Sequence, residues 1–346
     1  MTESGEKNPG IEAQRAKMSF LFREDVAPGL RLEMDLNKIL FTSESEFQQI
    51  DVVETFFGKT LVTDGKTQSS QMDEFAYHES LVHPSMLRSA LSGTPPKTVF
   101  IGGGGELATA REVLRHKSIE RCVMVDIDGK VIEVCKKFLA EWGGETVTSD
   151  KRFELVVGDA HKWMMETQET FDVIIMDISD PIEAGPGIML YTKEFYEHAL
   201  TRLNPNGVFV TQSGTADAVP AKHQGAGETD TSCYGPINNT LRTVFDCVVP
   251  YSTNIPSFGG DWGFIMAFQA PAGCEDKALV EKEWKFPAST DVIDNLVEQQ
   301  IEGGADKLGL YDGVSHMSMF ALTKALRNLL KNDTRVMTRD NPVFMY

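Results

Sequence analysis

The first part of the chain contains short runs in which apolar and polar side chains alternate. Leu30–Leu36 is such a run, and its period of two is expected of a strand with one exposed face. A second apolar run ends at Thr63 and leads into Asp64-Gly65, a sequence typical of a tight turn between antiparallel strands. The pattern therefore predicts a small antiparallel β domain near the beginning of the chain.

The middle of the chain has a different pattern, in which continuous apolar runs alternate with segments of helical spacing. Continuous runs are typical of parallel strands that are covered on both faces. We predict seven strands, at 98–101, 121–125, 153–157, 171–176, 207–212, 245–250 and 262–268. Strands that alternate with helices predict an α/β fold, here a Rossmann-like seven-stranded domain of the methyltransferase type.

These patterns divide the chain into three segments. Residues 1–27 are polar and are expected to form a flexible N-terminal arm. Residues 28–85 form the N-terminal β-strand domain, which includes the start of a helix that Asp73 is expected to cap. Residues 86–346 form the Rossmann-like catalytic domain with its C-terminal helices.

The segment 213–240 is rich in Gly, Thr, Ala and Ser, and it predicts a long loop with a helix at its end. Two further helices are predicted near 291–301 and 315–330, where apolar residues recur at helical spacing.

Composition narrows the range of partners. The 346 residues carry a net charge of −18, which argues against nucleic acid and anionic membranes as ligands. No apolar run approaches the length of about 20 residues that a membrane-spanning helix needs. The five cysteines are scattered without a CxxC pair, so we expect reduced thiols and a cytoplasmic location.

A glycine-rich segment joins the first predicted parallel strand to its helix. Gly102–Gly105 follows the apolar run and is itself followed by Glu106. Glycines allow a backbone to turn tightly and to approach a ligand closely, and a helix that starts there offers free N–H groups. The segment therefore indicates a nucleotide-binding loop.

Polar residues end four of the predicted strands: Asp126, Asp159, Asp177 and Gln212. Ligands of open parallel sheets bind at the carboxyl ends of the strands, so we expect these side chains to surround one site. Asp126 follows the glycines by about 20 residues, which is the spacing of an acid that binds ribose hydroxyls.

Three nucleotide ligands compete for this site. A dinucleotide would favour Gly-x-Gly-x-x-Gly, but Leu107 occupies the third position. S-adenosylmethionine, the ligand of a methyltransferase, suits the strand-end acids better, yet Glu106 would repel its carboxylate. Decarboxylated S-adenosylmethionine lacks that carboxylate and offers an ammonium instead, so it fits Glu106.

The motifs resemble those of the polyamine aminopropyltransferases, the spermidine, spermine and thermospermine synthases. The resemblance spans roughly residues 47–330 and rests on Phe47-Gln48, Val62–Gly65, Asp73–Glu79, Gly103–Glu106, Asp126–Asp128, Gly158–Ala160, Asp177–Pro181, Leu190–Tyr196 and Ile255–Phe258. The segments that are most similar to the thermospermine synthase branch are Leu81–Pro84, Gly103–Glu106 with Ala110–Glu112, and Phe258 with Asp261–Gly263.

This resemblance implies a role for each matching residue. Asp177 is expected to be the catalytic base, with Tyr77 beside it. The aminopropyl donor is expected to contact Gln48, Gly103, Gly104, Glu106, Asp126, Ile127, Asp159 and Ala160. The polyamine is expected to contact Tyr77, His78, Glu106, Asp177, Asp180, Gln212, Phe258 and Asp261.

The implied reaction transfers an aminopropyl group from decarboxylated S-adenosylmethionine to spermidine, giving thermospermine and methylthioadenosine. The donor is a co-substrate, and we expect no cofactor and no metal, because the sulfonium leaves as a neutral thioether. The family suggests a homodimer or homotetramer. The glycines of the loop 182–187 resemble those of a gate over the substrates.

Four other interpretations stay open. The closest are a spermidine synthase with putrescine as acceptor and a spermine synthase. A methyltransferase is the rival enzyme. A protein of another class, an inactive ligand-binding regulatory subunit, is disfavoured because Asp177, Glu106 and Tyr77 are all present.

Overall fold

The computed structural model describes residues 20–27, 29–182, 185, 187–216 and 232–345. The strands are β1 (Phe20–Ala27), β2 (Leu30–Leu36), β3 (Lys38–Glu44), β4 (Gln49–Thr55), β5 (Gly58–Thr63), β6 (Lys66–Ser70), β7 (Thr98–Gly103), β8 (Arg121–Asp126), β9 (Phe153–Val157), β10 (Phe171–Asp177), β11 (Leu203–Thr215), β12 (Cys247–Ile255) and β13 (Gly260–Phe268). The α-helices are α1 (Glu74–Leu91), α2 (Ala108–Leu114), α3 (Gly129–Phe138), α4 (Gly144–Thr148), α5 (Ala160–Glu166), α6 (Lys193–Thr201), α7 (Tyr234–Arg242), α8 (Lys277–Lys285), α9 (Asp291–Gln300), α10 (Gly313–Phe320) and α11 (Lys324–Asn332).

The N-terminal part consists of two antiparallel sheets. Strands β1 and β2 form a hairpin, and β3 to β6 form a four-stranded sheet in chain order. At the turn between β5 and β6, Asp64 has a φ of 50° and Gly65 a φ of 75°. Positive φ at both central residues is the geometry of the tight hairpin turn that the sequence predicts. The predicted antiparallel β domain is therefore confirmed.

Strand β1 corrects the predicted N-terminal arm. It pairs with β2 from Phe20↔Leu36 onwards, and its Glu24 is buried and accepts hydrogen bonds from Thr67. The expectation of a flexible arm is wrong for residues 20–27, and residues 1–19 lie outside the described residues. The polar run Arg23-Glu24-Asp25 hid the strand, because the buried position in its middle is occupied by the acid Glu24 and not by an apolar residue.

The main domain is built on a seven-stranded sheet with the order β12-β13-β11-β10-β7-β8-β9. Strands β11, β10, β7, β8 and β9 are parallel, and β13 and β12 are antiparallel to their neighbours. In the interior strand β7, the adjacent residues Val99, Phe100 and Ile101 are all fully buried, as expected for a strand covered on both faces. The predicted Rossmann-like seven-stranded fold is confirmed.

Helix α1 moves the boundary between the two parts. It runs through the expected boundary at residue 85, with Pro84 inside it, and it packs against α2 and β11 of the main domain. The N-terminal domain therefore ends near β6. Asp73 does not cap the helix as predicted; its carboxylate accepts hydrogen bonds from the backbone and hydroxyl of Ser257, both at 2.8 Å.

The C-terminal third refines two further predictions. The expected loop begins later, because β11 continues to Thr215, and the helix at its end is α7. Residues 217–231 of that loop lie outside the described residues. The predicted helix at 315–330 is two helices, α10 and α11, since Thr323 caps α11 by accepting from Leu326 N. No α-helix in the described ranges is long and apolar enough to cross a lipid bilayer.

Candidate active site

A cavity of about 1130 Å³, including its open mouth, lies at the carboxyl ends of β7, β8 and β10. Strands β5 and β6 of the N-terminal domain form its opposite wall. The predicted site residues that line it are Gln48, Tyr77, Gly103, Gly104, Glu106, Asp126, Ile127, Asp159, Ala160, Asp177, Asp180, Gln212 and Phe258. The structure thus brings together all of the predicted residues except His78 and Asp261.

The glycine-rich loop brings two strand ends into close contact. Gly103 has a φ of 82°, and a Cβ atom there would lie 2.1 Å from the carbonyl oxygen of Asp177. Gly104 N donates to the same oxygen at 3.0 Å. Only glycine fits at Gly103, because any side chain would push β7 away from β10. The loop therefore fixes the backbone of Asp177 beside Glu106.

Two hydroxyl groups hold the carboxylate of Asp177. Tyr77 donates to Oδ1 at 2.7 Å, and Thr109 donates to Oδ2. Burial and the charge of Asp177 hold the pKa of Tyr77 well above its usual range, so this phenol remains a donor. Asp177 is thus a carboxylate with a fixed orientation and two neutral partners.

Glu106 lies at the end of a buried chain of alternating charges. Its carboxylate contacts Nε2 of His78, whose Nδ1 lies 2.9 Å from Glu74 Oε2, and Arg111 Nη2 lies 2.9 Å from the same oxygen. Burial favours neutral His78, but the carboxylates of Glu106 and Glu74 outweigh it and raise the pKa of His78 to about 10. His78 is therefore an imidazolium, and it neutralises Glu106.

The part of the cavity near β8 contains the predicted nucleoside-binding residues. Burial raises the pKa of Asp126 to about 6, and its Oδ1 accepts from the backbone of Asp128 at 2.8 Å. Gln48 reaches across from the N-terminal domain and donates to Asp128 Oδ2 at 2.9 Å. Asp159 caps α5 by accepting from His161 N at 2.8 Å. These bonds orient the acids at the edge of the sheet.

The other part of the cavity is organised around Asp180. Burial raises its pKa to about 6, against the effects of Gln212 and Lys66, and Gln212 Nε2 donates to Asp180 Oδ1 at 3.1 Å. A second cavity of about 790 Å³ shares Asp180, Phe258 and Trp262 with the first and extends to Glu24 and Lys66. The two cavities therefore adjoin at these side chains, and together they are called the channel.

An aromatic pair closes one side of this channel. The rings of Phe258 and Trp262 lie 4.8 Å apart, and Tyr77 lies 5.8 Å from Phe258. The turn that carries Phe258 is held by the bonds between Asp73 and Ser257. Asp73 thus acts on the cavity through this turn.

Two predicted residues lie elsewhere. His78 is fully buried behind Glu106 and does not line the channel. Asp261 is exposed and accepts from Asn254 at 3.0 Å, because alternation along β13 turns Trp262 inward in its place. Both expected channel positions are corrected.

Three residues that the sequence did not indicate contact or line the site: Thr109, Glu24 and Lys66.

Of the predicted gate, residues 183, 184 and 186 lie outside the described residues. Across the described ranges, no three His, Cys, Asp or Glu side chains are grouped so as to bind a metal ion.

The fold and the channel together define a methyltransferase-like α/β domain with an acidic site at its strand ends and an N-terminal β domain. Comparison with known families gives a more specific assignment. The spermine/spermidine synthase domain matches residues 74–277, and the spermidine synthase tetramerisation domain matches residues 20–71. The chain belongs to the spermine/spermidine synthase family, and it is an aminopropyltransferase.

Individual relatives support this assignment. The thermospermine synthase ACAULIS5 of Arabidopsis thaliana is 38% identical over 94% of this chain and 87% of its own length. A polyamine aminopropyltransferase of Saccharolobus solfataricus is 39% identical over 90% of this chain and 93% of its own. A crystal structure of spermidine synthase with the transition state analogue AdoDATO is similar, with a TM-score of 0.74, 26% identity and coverage of 93% and 99%.

Proposed function

We propose that the acceptor is spermidine and that the product is thermospermine, with decarboxylated S-adenosylmethionine as the donor. The observation that carries this proposal is the series of carboxylates along the two adjoining cavities. Glu106 and Asp177 lie in its first part, Asp180 lies where the two cavities meet, and Glu24 lies in the second. A long polyamine carries several ammonium groups, and spaced carboxylates suit such a ligand.

The donor is proposed to bind between the glycine-rich loop and β8. Asp126 would accept hydrogen bonds from the ribose, and Asp159 with Ala160 would contact the adenine. Glu106 would bind the aminopropyl ammonium, which takes the place of the carboxylate-bearing group of S-adenosylmethionine. Burial raises the pKa of Glu106, and the contact with the imidazolium of His78 opposes that effect and favours the charged form. As a carboxylate, Glu106 would repel a second carboxylate, which supports this preference.

Asp177 is proposed to accept a proton from the attacking ammonium of the polyamine. The freed lone pair attacks the methylene carbon next to the sulfonium, so that a C–N bond forms while the C–S bond breaks. The electron pair of that bond passes to sulfur, which leaves as the neutral thioether of methylthioadenosine. The main contribution of the protein is then to align the two substrates, with Asp177 as general base.

The second cavity supports an acceptor longer than a diamine. Glu24 is buried at this end, and both of its hydrogen bonds from Thr67 end on Oε2, at 3.1 and 2.6 Å. Its Oε1 can therefore accept from a further ammonium. For thermospermine, the attacking amine of spermidine is the one on its aminopropyl arm, and Asp180 would then face the secondary amine.

We further propose that the chain assembles into a homo-oligomer through its N-terminal sheets. The matching domain is described by its role in tetramerisation, and large apolar side chains on these sheets are exposed. They are Phe20, Leu21, Leu30 and Ile39. Light scattering on the eluting protein would measure the mass, and a monomer at micromolar concentration would contradict the proposal.

The acceptor is tested by incubating the purified protein with decarboxylated S-adenosylmethionine and either putrescine, spermidine or agmatine. Chromatography that separates thermospermine from spermine identifies the product. We expect thermospermine from spermidine and little turnover of the other two amines. Spermine as product would contradict the attacking nitrogen, and a preference for putrescine would contradict the acceptor.

A pair of variants tests the length of the channel. Glu24→Gln should raise the KM for spermidine about fivefold to tenfold, because it removes one charged hydrogen-bond acceptor. The matched control is Glu33→Gln on the neighbouring strand, where the carboxylate forms an exposed pair with Arg23. An unchanged KM in Glu24→Gln would show that spermidine does not reach this end.

A further inference from the structure

The hydroxyl of Thr109 donates a hydrogen bond to Asp177 Oδ2, and its side chain is fully buried. The hydroxyl points out of α2 towards the end of β10, where Tyr77 occupies the other oxygen of the same carboxylate. We propose that Thr109 is a positioning residue for the reaction, which fixes Asp177 relative to Glu106. This inference rests on the proposed role of Asp177 as the base.

The geometry of the loop connects Thr109 to Glu106. Leu107 lies between them with a φ of 75°, in the left-handed region that side chains other than glycine rarely adopt. Its N donates to Gly104 O at 2.8 Å, and its side chain is fully buried. This tight turn sets Glu106 on one side and Thr109 on the other, so the two residues have a fixed separation.

Helix α1 also links Asp177 to Glu106, through two adjacent side chains. Its adjacent residues Tyr77 and His78 contact Asp177 and Glu106 respectively. Each carboxylate is therefore held by one group from α1 and by the segment that forms the start of α2. Thr109 is the member of this arrangement that joins α2 to β10.

The fixed separation of Asp177 and Glu106 would align the reacting atoms of the two substrates. Transfer requires the nitrogen, carbon and sulfur atoms to lie in line, with the reacting atoms about 3 to 3.5 Å apart. Asp177 orients the nitrogen and Glu106 orients the chain that bears the carbon. Without the hydroxyl of Thr109, Asp177 is held by Tyr77 alone and can rotate about its side-chain bonds. Alignment would suffer although each substrate still binds.

The test compares Thr109→Val, which removes the hydroxyl but keeps the shape, with Thr109→Ser, which keeps the hydroxyl. In Thr109→Val, kcat should fall about 10- to 100-fold, as expected for a lost hydrogen bond to a charged group. The KM of the donor and the affinity for methylthioadenosine should change less than about threefold. Thr109→Ser should recover most of the lost kcat, whereas a role in packing alone would not follow the hydroxyl.

The control variant is Thr240→Val in α7. This buried hydroxyl donates to Pro236 O at 2.7 Å and accepts from Met337 N at 2.8 Å, away from the channel. Thermal unfolding of all variants identifies any loss of folded protein, and kcat is referred to the folded fraction. Thr240→Val should lower stability without lowering that kcat.

Combination with Asp177→Asn distinguishes the inference from the function on which it rests. If Thr109 acts through Asp177, adding Thr109→Val to Asp177→Asn should have no further effect on kcat. An impaired Asp177→Asn variant beside a fully active Thr109→Val variant overturns the inference about Thr109 alone. A fully active Asp177→Asn variant overturns the proposed base, and the positioning role of Thr109 with it.

Discussion

The proposed donor end of the channel, at Glu106, and the proposed acceptor end, which begins at Asp177 and continues to Asp180, stabilise their carboxylates in different ways. At the donor end, Glu106 contacts the imidazolium of His78, which itself pairs with Glu74 at 2.9 Å. Arg111 then pairs with Glu74 at 2.9 Å, so the charges alternate over four buried or nearly buried side chains. Glu106 is therefore paired with a cation before any ligand binds.

At the proposed acceptor end, the hydrogen-bond partners of the carboxylates are neutral, although the charge of Lys66 also lowers the pKa of Asp180. Asp177 accepts from the hydroxyls of Tyr77 and Thr109, and Asp180 accepts from the amide of Gln212. Neutral donors orient a carboxylate without supplying a positive charge. An acid in such surroundings is available to pair with an incoming ammonium.

The difference suits the two tasks that we propose. A carboxylate that binds the donor ammonium benefits from remaining ionised, and the imidazolium of His78 favours this by opposing the effect of burial on the pKa of Glu106. A carboxylate that accepts a proton during the reaction would be a poorer base beside a fixed cation. Variants that exchange or remove these partners test whether the two ends differ in function as they do in structure.

The largest effect is expected at the acceptor end, in Asp177→Asn. Loss of a general base typically costs about 10²- to 10⁴-fold in rate, so kcat should fall within that range. Methylthioadenosine should still bind, because the amide keeps the shape of the side chain. Steady-state kinetics and calorimetry measure the two quantities. Asp246→Asn, which removes a surface pair with Lys277, is the control, and near-normal turnover in Asp177→Asn would refute the assignment of the base.

At the donor end, His78→Gln should mainly affect stability. It removes the cation that Glu106 contacts, and breaking a buried ion pair costs about 3 to 5 kcal/mol. Chemical denaturation should therefore give a markedly lower free energy of unfolding. The control is Lys97→Gln, which removes an exposed ion pair with Glu120. This variant should change the free energy of unfolding by less than about 1 kcal/mol.

The same variant also has a pH signature. The pKa of His78 is raised in the folded protein from 6.5 to about 10. The stability that its protonation contributes is thus fully present below pH 6.5, and it is lost as the pH rises towards 10. The difference in unfolding free energy between wild type and His78→Gln should shrink between pH 6.5 and 9. A constant difference would mean that His78 is not charged.

Glu106→Gln should have a smaller effect, on the choice of donor. The amide no longer repels the carboxylate of S-adenosylmethionine and binds an ammonium less well. We expect the preference for the decarboxylated donor to fall about tenfold to a hundredfold in competition binding. Glu141→Gln is a control on an exposed pair with Lys59. Unchanged discrimination would refute the charge argument for Glu106.

The comparison also separates what the sequence can predict from what it cannot. Glu106 and Asp177 follow apolar strands, and parallel topology brings all strand ends to one edge, so local pattern suffices to find them. Thr109 gives no such signal, because its hydroxyl acts on a residue 68 positions away. Glu24 lies on a strand without apolar alternation, and its place in the channel depends on how the two domains pack.

Partners of the acids were equally hard to predict. The motif at His78 indicated a polyamine ligand, yet burial behind Glu106 makes it a partner of the acid instead. The motif at Asp261 likewise indicated a polyamine contact, but alternation along β13 turns this side chain to the surface. Which face of a strand or helix points to a ligand depends on tertiary packing, which a single motif does not contain.

The smallest expected effect is the pH dependence of the two KM values, which we attribute to Asp126 and Asp180 at opposite ends of the channel. Burial raises the pKa of both Asp180 and Asp126 to about 6. As the pH falls from 7.5 to 5.5, each loses its charge, so the channel should bind its ligands less well. Spermidine remains fully protonated over this range, and its KM should rise a few-fold with saturating donor. Asp180→Asn should give a high KM that no longer depends on pH.

Asp126→Asn provides the matched comparison, since Asp126 lies near the proposed ribose and Asp180 near the proposed polyamine. In Asp126→Asn, the KM of the donor should lose its pH dependence while that of spermidine keeps it. The opposite result, or loss of both dependences in either variant, would show that the two ends are not independent. Independent behaviour is expected because each acid titrates in its own buried surroundings, with different hydrogen-bond partners.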